Sequence, residues 1–129
     1  MRLRTMLVGE EICPDVDATP AAIRAALHPA ELWNGTEVEL RPHDLAAPRL
    51  IAVSAANPFD GPEDQAEFFL GLEEGGVYFG EVAERRVPRE EVLVYFLRFV
   101  AGDAAWLDDF VWAECLDGRR TGRYRARAV

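Results

Sequence analysis

The chain has 129 residues and a formal net charge of −9, and half of its residues are hydrophobic. This size is typical of one domain and this apolar content is too high for a disordered chain, so we predict a single domain over residues 1–129. The longest apolar stretch, residues 92–101, contains Arg98 and is far shorter than the roughly 20 residues of a membrane span, so no membrane partner is expected. Cys13 and Cys115 form no CxxC motif, which favours a cytoplasmic protein without a disulfide framework.

The charges are distributed unevenly along the chain. Residues 1–118 hold all 23 carboxylates but only nine of the 14 arginines, which gives this part a charge of −14. The last eleven residues hold the other five, Arg119, Arg120, Arg123, Arg125 and Arg127. A body this acidic attracts cationic surfaces and repels polyanions, so we expect a basic protein partner and do not expect nucleic acid.

The first quarter of the chain predicts a strand and a short helix. Residues 2–8 have the apolar content of a strand, and residues 9–17, which contain Pro14, are predicted to form an irregular acidic connection. The Thr-Pro pair at residues 19–20 is a helix start, because the hydroxyl caps the first turn and proline fits the first helical position. We expect this helix to end near Leu27.

Two strands and a breaker-rich loop follow. Residues 36–41 alternate between apolar and polar side chains, which predicts a half-buried strand. Residues 49–55 form a compact apolar run bounded by prolines, as expected for a central strand. Residues 57–64 are rich in Asn, Pro, Asp and Gly, so we predict a loop there that is a candidate binding segment.

A hairpin is predicted in the middle of the chain. Residues 67–73 and 77–82 flank the pair at residues 75–76, and two glycines favour a tight turn because they take positive φ without strain. Gly71 and Gly80 are interpreted as hairpin glycines too.

The main helix is predicted over residues 88–101. It begins with proline and two acidic residues, carries a broad apolar surface suited to lying across a sheet, and ends at Gly102. Together these elements predict an α+β fold. We expect a mostly antiparallel, curved sheet of about six or seven strands, with one short N-terminal helix and this longer helix packed on it.

The C-terminal region predicts a second hairpin. Residues 109–115 form a strand pattern, and the Asp-Gly pair at residues 117–118 is a strong two-residue turn. That turn would place Trp112 opposite Arg123, so that guanidinium groups lie over aromatic rings. The alternative to this hairpin is a frayed basic tail. As an alternative to nucleic-acid binding, the arginines are expected to pair with carboxylates of the same sheet.

No pattern in the sequence indicates catalysis or metal binding. Ser54 is the only serine and lies in an apolar strand without a Gly-x-Ser-x-Gly turn, which leaves His43 with Asp44 as a candidate catalytic dyad. The sequence has no HExxH motif, no Cys/His cluster, no EF-hand loop and no phosphate-binding glycine motif. We therefore expect no enzyme activity and no cofactor.

Acidic residues near aromatic residues are the features that favour a protein interface. Aromatic side chains carry much of the binding energy at interfaces, and carboxylates would face a cationic partner. The predicted partner-binding residues are Phe59, Asp60, Glu63, Asp64, Glu67, Glu73, Glu74 and Tyr78.

Three segments carry a resemblance to a known class of protein. They are the hairpin at residues 73–80, the Val-Pro-Arg-Glu-Glu helix start at residues 87–91 and the Val-Trp-Ala-Glu strand at residues 111–114. In this order the region over residues 66–115 resembles the polymorphic-toxin immunity proteins of GC-rich bacteria, a class that includes inhibitors of deaminase and nuclease toxins. The resemblance implies a bacterial toxin inhibitor, and its motifs are structural, so it transfers no contact residues.

The functional hypothesis is therefore an acidic protein-binding module that neutralises a basic toxin by occluding its active site. The alternative is a small-ligand-binding or sensor domain with an apolar pocket between helix and sheet. That pocket would be lined by Phe68, Phe69, Phe79 and Phe96.

Overall fold

The computed structural model describes residues 1–7, 10–28, 35–44, 46–55, 67–82 and 86–126, with only the backbone of residues 12–14. The described residues form two α-helices, α1 (Pro20–Ala26) and α2 (Arg89–Val100), and one 3-10 helix, Ala105–Asp109. They also form nine strands. These are β1 (Arg2–Leu7), β2 (Glu10–Asp17), β3 (Glu37–Arg41), β4 (Arg49–Ser54), β5 (Glu67–Glu74), β6 (Val77–Glu81), β7 (Val87–Pro88), β8 (Trp112–Leu116) and β9 (Arg119–Tyr124).

The strands form one antiparallel sheet in the order β2-β1-β3-β4-β5-β6-β8-β9, and the two-residue β7 pairs with β5. The α+β class, the antiparallel sheet and the two helices confirm the prediction, whereas the expected count of six or seven strands is wrong. The additional strands are β2 and β7. Both contain a proline, which removes a donor from the ladder but is tolerated at an edge or an irregularity.

The segment predicted to be an irregular connection, residues 9–17, contains the edge strand β2. Its pairing with β1 changes register on both sides of the Thr5–Cys13 pair, and Pro14 falls at this irregularity. An edge strand needs only one row of ladder hydrogen bonds, so a bulge at Pro14 is compatible with pairing. The proline that suggested a loop marks an edge strand.

The apolar core lies between the sheet and the two helices. Directly opposed leucines at positions 3, 40, 50 and 72 cross the sheet from β1 to β5, and each is no more than 2% exposed. Against this layer pack Ile23 of α1 and Phe96 of α2, both fully buried. The whole cluster therefore lies on one face of the sheet.

Both helix boundaries follow from local chemistry. Thr19 caps α1, since its hydroxyl accepts a hydrogen bond from Ala22 N at 3.1 Å, as predicted. At the end of α2, Gly102 has φ +85° and donates to Phe99 O at 3.1 Å, while Asp103 N donates to Arg98 O at 2.9 Å. These two bonds form a Schellman motif, which needs the left-handed residue that glycine supplies.

The turn of the second hairpin is as predicted, whereas the register of its two strands is not. Asp117 and Gly118 both have positive φ, and Leu116 lies opposite Arg119. A register shift follows before Ala113, which lies opposite Tyr124. The predicted pairing of Trp112 with Arg123 is therefore wrong.

Arg125 instead shares in the ladder with Trp112, because its backbone N donates to Trp112 O at 2.8 Å. The guanidinium of Arg125 contacts Glu74 at 3.4 Å and Asp108 at 3.9 Å, as the alternative of pairing with carboxylates expects. The predicted strand start at residue 109 is also wrong, since Ala105–Asp109 continue as a 3-10 helix and β8 begins at Trp112.

Candidate functional site

The face of the sheet opposite the described helices is the candidate site. In β5 the even-numbered side chains point into the core and are buried, so the odd-numbered ones, from Glu67 to Glu73, point to the other side. We call this second side the helix-free face. One row of directly opposed residues crosses it from β1 to β9: Arg4, Glu39, Ile51, Gly71, Gly80, Ala113 and Tyr124.

One end of the helix-free face is a network of ion pairs centred on Glu39. This carboxylate is only 3% exposed, and it lies 3.1 Å from Arg4, 2.7 Å from Arg49 and 3.8 Å from Arg41. The network continues through Arg49 to Glu73, through Arg41 to Asp15, and from Arg2 to Asp17. We call these eight residues the ion-pair ladder.

The ion-pair ladder contains four guanidiniums and four carboxylates, so it carries no net charge. Charges buried this deeply persist only when they are paired. The alternating pattern of residues 36–41 predicts that Glu39 faces away from the core, and it does. It is nevertheless buried, because three arginine side chains cover it.

At the other end, two glycines leave a gap in the side-chain layer. Gly71 and Gly80 lie directly opposite each other in the interiors of β5 and β6, and a glycine in a strand marks a place where another group can approach closely. Both glycines belong to the hairpin, as interpreted, but they lie within its strands, while Gly75 and Gly76 form its turn. The signal was present in the sequence, since a turn at residues 75–76 places residue 71 opposite residue 80.

The phenol of Tyr78 lies over Gly71. A Cβ added at Gly71 would be 2.4 Å from Tyr78 Oη, so the ring occupies the space that a side chain would take. Tyr78 lies directly opposite both Glu73 and Cys115, and 36% of its surface is exposed. It is the aromatic residue at the edge of the gap.

A cavity of about 590 Å³ surrounds this gap. The residues that line it include two aromatic residues, one cysteine, two acidic residues and one arginine. Arg120 on the rim donates from Nη2 to Val82 O at 2.6 Å. The lining residues are Phe69, Leu70, Tyr78, Gly80, Glu81, Cys115, Asp117, Gly118 and Arg120.

The hydroxyl of Tyr78 is held in its protonated form. Burial raises the pKa of Tyr78 above its ordinary value of 10.0, and the negative charges of Glu37 and Cys115 raise it further. At neutral pH the group is therefore a neutral phenol that can donate a hydrogen bond.

The structure places four of the predicted partner-binding residues and separates them. Tyr78 is at the cavity, Glu73 belongs to the ion-pair ladder, and Glu74 points to the opposite side of β5, towards Arg125. Glu67 lies on the helix-free face at the far end of β5, opposite Pro88. The other four, Phe59, Asp60, Glu63 and Asp64, lie outside the described residues.

The sequence reasoning missed several residues of the cavity, notably Gly80, Cys115, Asp117 and Arg120. Gly80 belongs to β6, whereas Cys115, Asp117 and Arg120 belong to the hairpin of β8 and β9, so no local motif connects Gly80 with the other three. Their meeting depends on the pairing of β6 with β8.

The four phenylalanines proposed for an apolar pocket do not share one cavity. Phe68 and Phe96 are fully buried in the core. Phe69 is the strand neighbour of Phe68, so it points to the opposite side, where it lines the cavity beside Tyr78.

The candidate dyad is engaged in other contacts. His43 Nε2 lies 3.1 Å from the terminal amine of Met1, and Asp44 Oδ1 accepts a hydrogen bond from Ala46 N at 2.9 Å. Within the part of the chain that the structure describes, no three His, Cys, Asp or Glu side chains are grouped as a metal site.

Comparison with protein-family models, with curated proteins and with solved structures finds no match to the chain. Among the described helices, none has both the length and the apolar content required to cross a bilayer.

Proposed function

We propose that this chain is an immunity protein that binds a basic toxin domain through the helix-free face and blocks the toxin's active site. The observation that supports the proposal is the cavity at Gly80, where exposed aromatic surface meets carboxylates in a chain with a net charge of −9. The resemblance over residues 66–115 points in the same direction.

The distribution of charge within the fold is compatible with a cationic partner. Because the ion-pair ladder is neutral, the net charge of −9 belongs to the rest of the chain. Two of the remaining carboxylates, Glu37 and Glu67, lie on the helix-free face. Glu67 is two positions before Phe69 in β5. Glu37 lies in the cross-strand row that continues through Val53 to Phe69. A basic protein surface would therefore meet negative potential beside the aromatic side chains.

The aromatic residues would supply most of the affinity. Interfaces depend on a few large side chains that become fully desolvated, and tyrosine is one of the preferred types. Tyr78 is partly exposed and held over Gly71, so it would lose little conformational freedom on binding. Occlusion of this kind requires no chemistry from the immunity protein.

The test is capture of partners from the native host at low salt, followed by measurement of toxin activity with increasing amounts of the pure chain. We expect a basic toxin that is inhibited in a stoichiometric complex. Capture of a protein that is acidic, or whose activity the chain leaves unchanged, would contradict the proposal.

Two matched variants locate the binding face. Tyr78→Ala should weaken toxin binding by about 30-fold, which corresponds to roughly 2 kcal/mol for an aromatic hot spot. Val94→Ala is the control, because Val94 is 51% exposed on α2, on the other side of the sheet. Equal losses for the two variants, measured by calorimetry, would exclude the helix-free face.

A further inference from the structure

The two facing glycines of the helix-free face are covered to different extents. The Tyr78 ring lies over Gly71, where an added Cβ would be 2.8 Å from the ring atom Cζ. At Gly80 an added Cβ would meet only ordinary contacts, at 3.7 Å from Cys115 Sγ and 4.0 Å from Tyr78 Cε1. The space above Gly80 is therefore open, and it belongs to the cavity of about 590 Å³. Cavities of roughly 300–1,000 Å³ are of the size that binds small molecules.

The charges on the lining of this cavity balance. Asp117 and Arg120 have opposite signs. Glu81 is also a lining residue, but it lies opposite Trp112 of the core, so its side chain is directed to the helix side of the sheet. A charged ligand would meet a group of its own sign on the lining, so the cavity favours a neutral one.

The hydroxyl of Tyr78 provides a polar contact at the cavity. Within the described part of the chain it forms no hydrogen bond. Because the phenol is protonated at neutral pH, it can donate a hydrogen bond to an acceptor atom of a ligand. Ligand sites typically combine an apolar lining with a few polar groups of this kind, which fix the orientation of the ligand.

We infer that the cavity at Gly80 binds a small, neutral aromatic compound that carries a hydrogen-bond acceptor. Phe69 and Tyr78 offer rings for offset or edge-on contacts, and Cys115 adds a polarizable sulfur. An aliphatic compound of the same size would gain no ring–ring attraction. This site lies on the opposite side of the sheet from the pocket that the sequence predicted, and it does not depend on the proposed function.

The experiment titrates the pure protein with benzamide, cyclohexanecarboxamide and benzoate, and follows the backbone amides by NMR. The second compound keeps the amide but lacks the aromatic ring, and the third keeps the ring but is charged. We expect benzamide to shift the amides of Gly80 and Cys115 in a saturable way. The other two compounds should cause at most weak shifts that do not saturate.

Three variants locate the bound compound, and thermal unfolding verifies that each is folded. Gly80→Val should abolish the benzamide shifts, because a branched side chain suited to a strand fills the open space. Tyr78→Phe keeps the ring and loses the hydroxyl, so the dissociation constant should rise about fivefold, the effect of one hydrogen bond. Tyr124→Phe is the matched control and should bind as the wild type does, since Tyr124 is 61% exposed on the same face and is not among the lining residues.

Absence of a saturable benzamide shift would overturn the inference, and so would equal binding of cyclohexanecarboxamide or benzoate. Unchanged benzamide binding by folded Gly80→Val would place the compound elsewhere. Unchanged binding by Tyr78→Phe would reject the hydrogen bond, and this variant decides the matter if Gly80→Val does not fold. The toxin assay is a separate test, because inhibition of a toxin by the chain requires no small molecule.

Discussion

At the scale of single residues, the main finding is that carboxylates with similar sequence surroundings have different roles. Glu37 and Glu39 belong to the same alternating segment and face the same side of β3. Three arginines from β1, β3 and β4 surround Glu39, whereas Glu37 lies in the row of Val53 and Phe69. The pairing of strands, and not the local sequence, gives Glu39 a structural role and leaves Glu37 at the proposed interface.

Glu39→Gln is expected to destabilise the protein substantially. The change removes the one negative charge shared by three guanidiniums, and we expect a loss of roughly 2–3 kcal/mol in the free energy of unfolding. This loss is smaller than that for breaking a fully buried ion pair, which is about 3–5 kcal/mol, because the arginines are partly exposed. Urea unfolding measures the loss, and Glu37→Gln is the control, for which we expect a change within about 0.5 kcal/mol. A similar small change for both variants would contradict the structural role of Glu39.

Tyr78 should make stability decrease at alkaline pH. An unfolded tyrosine ionises near pH 10, whereas the pKa of Tyr78 in the folded protein is higher. Above about pH 10 the unfolded state therefore loses its proton first, and the free energy of unfolding falls as pH rises. Tyr78→Phe should make this decline shallower in urea unfolding measured from neutral pH to about pH 11. Glu37→Gln should lower the pKa of Tyr78 in a tyrosinate absorbance titration, and an unmoved pKa would reject the influence of Glu37.

At the scale of elements, short-range signals were the reliable ones. The Thr-Pro pair sets the start of α1, and the glycine pair at residues 75–76 sets the first hairpin. Both depend on backbone geometry within a few residues, so the sequence is sufficient to predict them. The main helix is likewise predicted within one residue at each end, at Arg89–Val100.

The elements that the sequence missed depend on distant partners. Strand β2 exists because β1 pairs with it despite Pro14, and the register of β9 changes beyond its predicted turn. The cavity at Gly80 requires β5, β6 and β8 to lie side by side. The effect of proline on strands and the residue preferences of turns do not specify which strands lie side by side. The cavity could therefore be recognised only in the folded chain.

Thr19→Ala tests the cap of α1. Loss of the hydroxyl leaves Ala22 N without its partner and should cost about 1 kcal/mol of unfolding free energy. Thr19→Ser keeps the hydroxyl and should recover most of the loss, which urea unfolding can measure. Equal stability of the alanine and serine variants would show that the cap contributes nothing.

At the scale of the whole molecule, charge and shape have separate effects on the proposed complex. The net charge of −9 acts at long range and accelerates encounter with a basic protein, whereas Tyr78 acts only after contact. The exposed carboxylates of Glu10 and Glu11 lie on the edge strand β2, far along the sheet order from β6. They should therefore influence the rate of encounter alone.

The association rate with the toxin should fall by about 10-fold or more from low to high salt. Replacing both Glu10 and Glu11 with glutamine should lower this rate at low salt and leave dissociation unchanged. Tyr78→Ala should accelerate dissociation instead, and surface plasmon resonance separates the two rates. An association rate that does not depend on salt would exclude electrostatic steering.

The position of Glu39 has a consequence for how the sheet chooses its alignment. If β3 slid by one residue against its neighbours, every side chain would change sides, so this carboxylate would enter the leucine layer and Leu40 would face water. Arg4 on β1 and Arg49 on β4 would be left behind without this carboxylate. The charged cluster thus penalises misaligned sheets far more than it strengthens the native one, and it protects a chain of many similar short strands from mispairing while it folds.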